Sequence, residues 1–146
     1  MKIIRANSQH LEPLAELFNR YRVFYKQASD LDAARSFLND RITKQDSVIF
    51  LALNSQNRAM GFTQLYLLFS SVALKPVYIL NDLFVDESYR GEGVASGLMT
   101  KATEHAIEKG CRGLTLETGI DNPALKLYER LGWVKDSEVY HYTLEF

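Results

Sequence analysis

One cysteine, three prolines and a net charge of only −1 are spread over 146 residues. A lone Cys111 forms no internal disulfide, and no cysteine–histidine cluster has the spacing of a zinc site. No metal is expected. The near-zero net charge removes the electrostatic case for a nucleic-acid partner or an anionic membrane surface. No apolar run approaches the roughly 20 residues of a bilayer span. The N-terminus lacks a leader pattern, because Lys2 is followed by only two apolar residues before Arg5. Internal repeats, low-complexity tracts and Pro/Gly/Ser linkers are also missing. The expectation is a cytoplasmic, metal-free globular protein, with residues 1–146 as a single domain.

Apolar residues make up 47% of the chain and charged residues 24%, ordinary values for a globular domain with a real core. Lys2 to Ala6 reads as a short strand. Asn7 or Ser8 can cap a helix on which Leu11, Leu14, Phe18, Tyr21 and Tyr25 recur at helical spacing. A second helix is predicted from Asp30, with Leu31, Ala34, Leu38 and Ile42 on one face. Three strands follow: Val48–Leu53, Ala59–Phe69 after a polar turn at 54–58, and Val77–Val85. A helix from about Gly93 to Lys109 ends at Gly110. Leu114–Thr118 reads as a strand. Pro123 suits the first turn of a helix capped by Asn122 and ended by Gly132. Trp133-Val134 and Glu138–Phe146 supply the last strands. The class is α/β of mixed α+β kind. It has a mixed, twisted sheet, helices on both faces, and a parallel pair across the strand–helix–strand unit Val77–Thr118.

The densest signal lies where the strand Val77–Val85 leads into Arg90-Gly91-Glu92-Gly93-Val94-Ala95-Ser96. A glycine-rich turn that opens a helix aims free backbone N–H groups and the positive end of the helix dipole at one spot. That spot suits a phosphate or pyrophosphate. A P-loop is ruled out, since no Gly-Lys-Ser/Thr follows. A dinucleotide turn competes: Gly91, Gly93 and Gly97 are spaced G-x-G-x-x-x-G, and Glu117 can imitate the ribose-binding acid. That fold needs two strand–helix–strand halves, and only one is available here.

Two stretches carry a more specific likeness. Arg90-x-x-Gly93-x-Ala95 follows an apolar strand, and Asn122-Pro123-Ala124-x-x-Leu127-Tyr128-x-x-x-Gly132-Trp133 comes some thirty residues later. Together they resemble the GNAT superfamily of acetyl-CoA-dependent N-acetyltransferases. Counting back from Tyr128, that family's asparagine falls on Asp121, one residue before Asn122. Leu80-Asn81-Asp82-Leu83-Phe84-Val85 also looks like the corresponding strand of the polyamine and yeast histone/polyamine branches. The resemblance implies a mostly antiparallel sheet with a splayed central parallel strand pair. It also implies acetyl-CoA as cofactor and a primary amine of a small molecule as acceptor.

The resemblance further implies roles. The backbone of Arg90 to Ser96 (Arg90, Gly91, Glu92, Gly93, Val94, Ala95 and Ser96) would hold the pyrophosphate. Leu83, Phe84 and Val85 would lend strand backbone to the pantetheine arm. Tyr128 would protonate the departing thiolate, with a core aromatic as the plain alternative. Asn122 would bond the cofactor arm or merely cap its helix. For the base, related polyamine enzymes carry Glu where this chain has Asn81, which cannot accept a proton. Asp82 is adjacent, but strand alternation sends it to the opposite face, so it would act through water on a bulged strand. Glu117 and the Tyr21/Tyr25 pair are the other candidates. Tyr21, Tyr25, Asn81 and Glu117 are expected to wall the acceptor site. The aromatic face Tyr140, Tyr142, Leu144 and Phe146 is expected either to line the core or to meet a second subunit in a homodimer. The rival readings are a non-catalytic acyl-CoA-binding module and a protein N-acetyltransferase.

Overall fold

The computed structural model describes residues Met1–Phe146. Five strands run in chain order across one open sheet: β1 Lys2–Arg5, β2 Val48–Leu53, β3 Ala59–Ser70, β4 Lys75–Val85 and β5 Leu114–Thr115. The helices are α1 Leu11–Phe24, α2 Leu31–Lys44, α3 Val94–Glu108 and α4 Leu125–Arg130. All strand pairs are antiparallel except β4 with β5.

The six residues of β2 are all buried, because helices cover both faces of the sheet. Val48, Phe50 and Ala52 join Val94, Leu98, Met99, Ala102 and Ala106 of α3 in one core. Ile49, Leu51 and Leu53 join Leu14, Leu17 and Phe18 of α1 and Ala34 and Leu38 of α2 in the other. A strand buried on both sides reads as a continuous apolar run, and Val-Ile-Phe-Leu-Ala-Leu is one. Asp30 caps α2 by accepting the Ala33 N–H at 2.9 Å. In the 54–58 turn, Asn54 Oδ1 accepts the N–H groups of Gln56 and Arg58, both at 2.9 Å.

Strand β4 carries an irregularity that shapes everything near it. Gln64 stands opposite Asp82 and Leu65 opposite Leu80, so Asn81 is an extra residue with no cross-strand partner. Such a bulge shifts the phase of side-chain alternation. Before it, Tyr78 and Leu80 pack into the α3 core. After it, Phe84 packs into the α1–α2 core, and Leu83 and Val85 turn to the α3 side.

Three expectations need correction. The strand predicted over Leu114–Thr118 pairs only at Leu114 and Thr115. The last helix starts at Leu125, preceded by a turn in which Asn122 Oδ1 accepts the Ala124 N–H at 2.9 Å. Trp133-Val134 and Glu138–Phe146 are not strands. No backbone–backbone hydrogen bond forms beyond the one from Trp133 N–H to Tyr128 O. The aromatic face therefore does not line the core: Tyr140 and Tyr142 are 89% and 93% exposed. Alternation marks a segment able to pair, but pairing also needs an edge, and β5 offers two residues of it.

Candidate functional site

The glycine turn is built as the sequence suggests. Gly91 and Gly93 take φ of +80° and +79°, the left-handed region that disfavours L side chains. The first helical bond of α3 runs from Gly97 N–H to Gly93 O at 3.0 Å. The N–H groups of residues 91–96 have no acceptor within the protein. A Cβ added at Gly91 or Gly93 would meet nothing within 4 Å, so the space above the turn is open. A run of unpartnered N–H groups at the positive end of a 15-residue helix is an anion cradle. Arg90 adds a cation there. Its Nε donates to Val85 O at 3.2 Å, and its guanidinium lies 5.9 Å from the centre of the Phe24 ring.

Beside the turn lies a cleft of about 270 Å³. Its origin is the divergence of β4 and β5. They pair only at Tyr78–Leu114 and Ile79–Thr115 and then part. Leu83, Phe84 and Val85 form one wall, and Leu116, Glu117 and Thr118 the other. Tyr128 and Leu127 of α4 line it, as do Tyr21 and Phe24 of α1 and Tyr25 just past the end of that helix. The edge of β4 that faces the cleft therefore has no strand beside it.

Two polar groupings serve this cleft. On one side, Asn122 Nδ2 donates to Thr118 Oγ1 at 2.8 Å, and Tyr128 lines the cleft with both residues. Burial pushes the Tyr128 phenol above its ordinary pKa, only partly offset by Thr118, so it stays protonated at neutral pH. On the other side, Asp82 is 5% exposed and lies behind the cleft wall. Its Oδ2 accepts from Gln64 Nε2 at 2.7 Å and its Oδ1 from Asn81 Nδ2 at 3.1 Å. Gln64 Oε1 accepts from Ser47 Oγ at 2.9 Å. The Tyr21 phenol is raised far above its ordinary value, first by burial and then by the charge of Asp82.

Of the residues singled out in the sequence, Tyr21, Tyr25, Asn81, Leu83, Phe84, Val85, Arg90, Ala95, Glu117, Asn122 and Tyr128 line the cleft. Val94 does not, since its side chain is in the α3 core, and Gly91, Glu92, Gly93 and Ser96 form the adjoining turn. The Phe84 side chain is buried in the α1–α2 core. Asp82 does not line the cleft and is tied to it by the hydrogen bond from Asn81. Glu117 is met by His141 of the C-terminal tail, Nδ1 to Oε1 at 2.9 Å. Phe24, Leu116 and Thr118 were missed. Each adjoins a singled-out residue, Tyr25 or Glu117, a signal that could have found it. Gln64 and Ser47 carried no local signal at all.

A cradle for a diphosphate, leading to an unpaired strand edge within a splayed parallel pair, is the layout of an acyl-CoA transferase site. The chain matches the "Acetyltransferase (GNAT) family" over residues 11–133 and belongs to that family. It is an acyl-CoA-dependent acetyltransferase. A Bacillus subtilis (strain 168) protein named "Uncharacterized N-acetyltransferase YhfO" is 43% identical over 145 residues, 99% of this chain and 97% of that protein. A crystal structure of "a probable acetyltransferase" shares 42% identity and superposes with a TM-score of 0.95 over 100% of this chain and 98% of its own. The Arabidopsis thaliana "N-alpha-acetyltransferase MAK3" is 46% identical over 63 residues, 42% of this chain and 33% of that protein. No helix is long and apolar enough to cross a membrane.

Proposed function

We propose that residues 1–146 act as one cytoplasmic domain that transfers acetyl from acetyl-CoA to a primary amine of a small molecule, by direct transfer in a ternary complex. The observation that carries this reading is the run of free N–H groups over residues 91–96 beside the unpaired edge of β4. The open space above Gly91 and Gly93 fits the CoA pyrophosphate. The edge at Leu83–Val85 fits an extended, amide-bearing arm that bonds as a strand would. Bound acetyl-CoA supplies an activated acyl group on a good leaving thiolate. The protein's own work is then to orient it, to polarise its carbonyl from a β4 amide, and to move two protons.

Tyr128 gives the first proton. Its phenol, kept neutral by burial, is the general acid toward the departing sulfur. The second must leave the amine, because an ammonium group is not nucleophilic and has a pKa near 10. Asn81 accepts no proton, so Asp82 behind it is the base, acting through an intervening group such as water. The bulge at Asn81 supports that role, by turning Asp82 to the same side as Phe84, the α1 side of the sheet. Tyr21, Tyr25, Asn81 and Glu117 wall the acceptor end. The protein works as a homodimer, with no nucleic-acid or membrane partner.

Two other readings keep a specific footing. The neutral Asn81 favours a non-catalytic acyl-CoA-binding module. The 63-residue likeness to an N-alpha-acetyltransferase favours a protein N-terminus as acceptor. Free-thiol release from acetyl-CoA, measured against a panel of polyamines, amino acids, aminoglycosides and short peptides, separates the three. Turnover with small amines supports the proposal. Peptide-only turnover favours the protein acceptor, and tight acetyl-CoA binding without turnover favours the module.

A further inference from the structure

A buried polar chain reaches the cleft at one point, Asn81, the extra residue of the β4 bulge. Ser47 Oγ donates to Gln64 Oε1 at 2.9 Å, and Gln64 Nε2 donates to Asp82 Oδ2 at 2.7 Å. Asn81 Nδ2 donates to the other Asp82 oxygen at 3.1 Å. Gln64 and Asp82 are buried, whereas Asn81 is exposed and lines the cleft. Resting on the acetyl-transfer reading above, we propose that Asn81 Oδ1 holds one N–H of the acceptor and so selects primary over secondary amines, with Asp82, Gln64 and Ser47 as positioning residues for that oxygen.

The chemistry of the chain fixes its direction. A carboxylate offers only acceptors, so both amides that meet Asp82 turn their NH₂ groups toward it. The Gln64 oxygen is thereby left to face Ser47, whose hydroxyl supplies a donor. The Asn81 oxygen is left to point away from the buried carboxylate, and Nδ2 is the only atom of that amide engaged within the protein. Thr63 Oγ1 donates to Asp82 O at 2.8 Å, so the backbone that carries the carboxylate is pinned as well. On a regular strand, neighbouring side chains point to opposite faces. The bulge breaks that alternation and lets Asn81 line the cleft while still bonding Asp82.

A neutral amide oxygen accepts a hydrogen bond without taking the proton. It therefore suits the one N–H that the reaction never breaks. A primary ammonium carries three N–H bonds, and two of them break on the way to the amide. One proton goes to the base and on to water. The other replaces the proton that Tyr128 gives to the departing sulfur. The nitrogen's electron pair forms the new N–C bond as the C–S pair leaves with sulfur. The third N–H persists from ammonium to product, so a fixed acceptor can hold it throughout. A secondary amine starts with two N–H bonds and loses both, so its contact with Asn81 must break before the product forms.

The test compares kcat/KM for a primary amine that the protein acetylates and for its N-methyl derivative, read by thiol release. Asn81→Leu keeps the size of the side chain and removes its polar atoms, so it opens no room for the added methyl. The wild type should favour the primary amine. Asn81→Leu should lose about 10- to 10²-fold on that amine, the range for a hydrogen bond to a charged group, and far less on the N-methyl one. Gln64→Leu should lower the same ratio by a smaller factor, because Asp82 then keeps one amide donor and holds Asn81 less firmly. Calorimetry should give an unchanged acetyl-CoA affinity for both variants. A merely structural role lowers both rates together. An unchanged ratio in Asn81→Leu, or a wild-type ratio near one, would overturn the proposal while leaving the acetyltransferase reading intact. Weakened acetyl-CoA binding in Asn81→Leu would overturn it too, by placing the amide against the cofactor. A ratio that falls in Asn81→Leu and holds in a folded Gln64→Leu would remove the positioning chain. If Gln64→Leu does not fold, Asn81→Leu decides alone. A wild-type protein that acetylates no amine in the panel overturns both readings.

Discussion

Tyr128 sits where α4 meets the cleft, half-buried, with its ring 6.4 Å from that of Trp133. Packing and catalysis make different demands on it, and Tyr128→Phe separates them. The ring contacts survive, so acetyl-CoA affinity and folding should hold. The O–H is lost, so kcat should fall by about 10²–10⁴, as measured by thiol release. Unchanged kcat would reduce Tyr128 to a core aromatic. It was singled out through the resemblance carried by Asn122 to Trp133, since helix spacing with Ala124, Leu127 and Leu131 would by itself have made it a core aromatic. The surroundings of Asp82 were not legible. Gln64 lies eighteen residues away in the chain and meets Asp82 only through the β3–β4 register. No local pattern reports a cross-strand pair.

At the scale of elements, the turn that holds the cradle is itself tied down. Asp86 caps the short turn Glu87–Tyr89 by accepting the Ser88 N–H at 3.0 Å, and Arg20 of α1 pairs with the same carboxylate. The Ser88 backbone bond, aided by Arg20 and opposed by partial burial, holds the Asp86 carboxyl below its usual range. The sign follows: with its folded pKa lowered, the stabilisation exists above the ordinary carboxylate value, near 3.9, and disappears as pH falls through the folded one. Asp86→Ala should therefore cost about 1 kcal/mol at pH 7, the size of a lost cap, and almost nothing in strong acid. Urea unfolding at the two pH values checks this, and a cost independent of pH would contradict it. The helices and the first four strands were legible because each carries its own period and punctuation. The bulge at Asn81 was not, since it exists only as a mismatch between two strands. The tail misled for a related reason: Glu138–Phe146 alternates well, but the short β5 leaves it no edge.

Across the whole molecule, that tail leaves Tyr140, Tyr142, Leu144 and Phe146 uncovered, more apolar surface than one segment of a monomer ordinarily shows. A homodimer is the expected state, and light scattering should give twice the chain mass of 16.7 kDa. The single-chain mass would end that expectation. The assembly could not be read from one chain's periodicity, because what covers an apolar face lies outside that chain. Everything proposed for catalysis depends on the turn at residues 91–96 holding the cofactor's diphosphate. Gly93→Val puts a β-branched side chain at φ +79° and into the open space that the diphosphate would occupy. The backbone strain, about 1–2 kcal/mol, is small beside the roughly 5–15 kcal/mol that holds a typical domain folded, so the fold should survive. Calorimetric titration of wild type and Gly93→Val with acetyl-CoA is the most direct measurement. Clear binding by the wild type and none by a folded Gly93→Val is the predicted result. Equal dissociation constants for the two proteins would contradict the central claim that this turn is the acyl-CoA site.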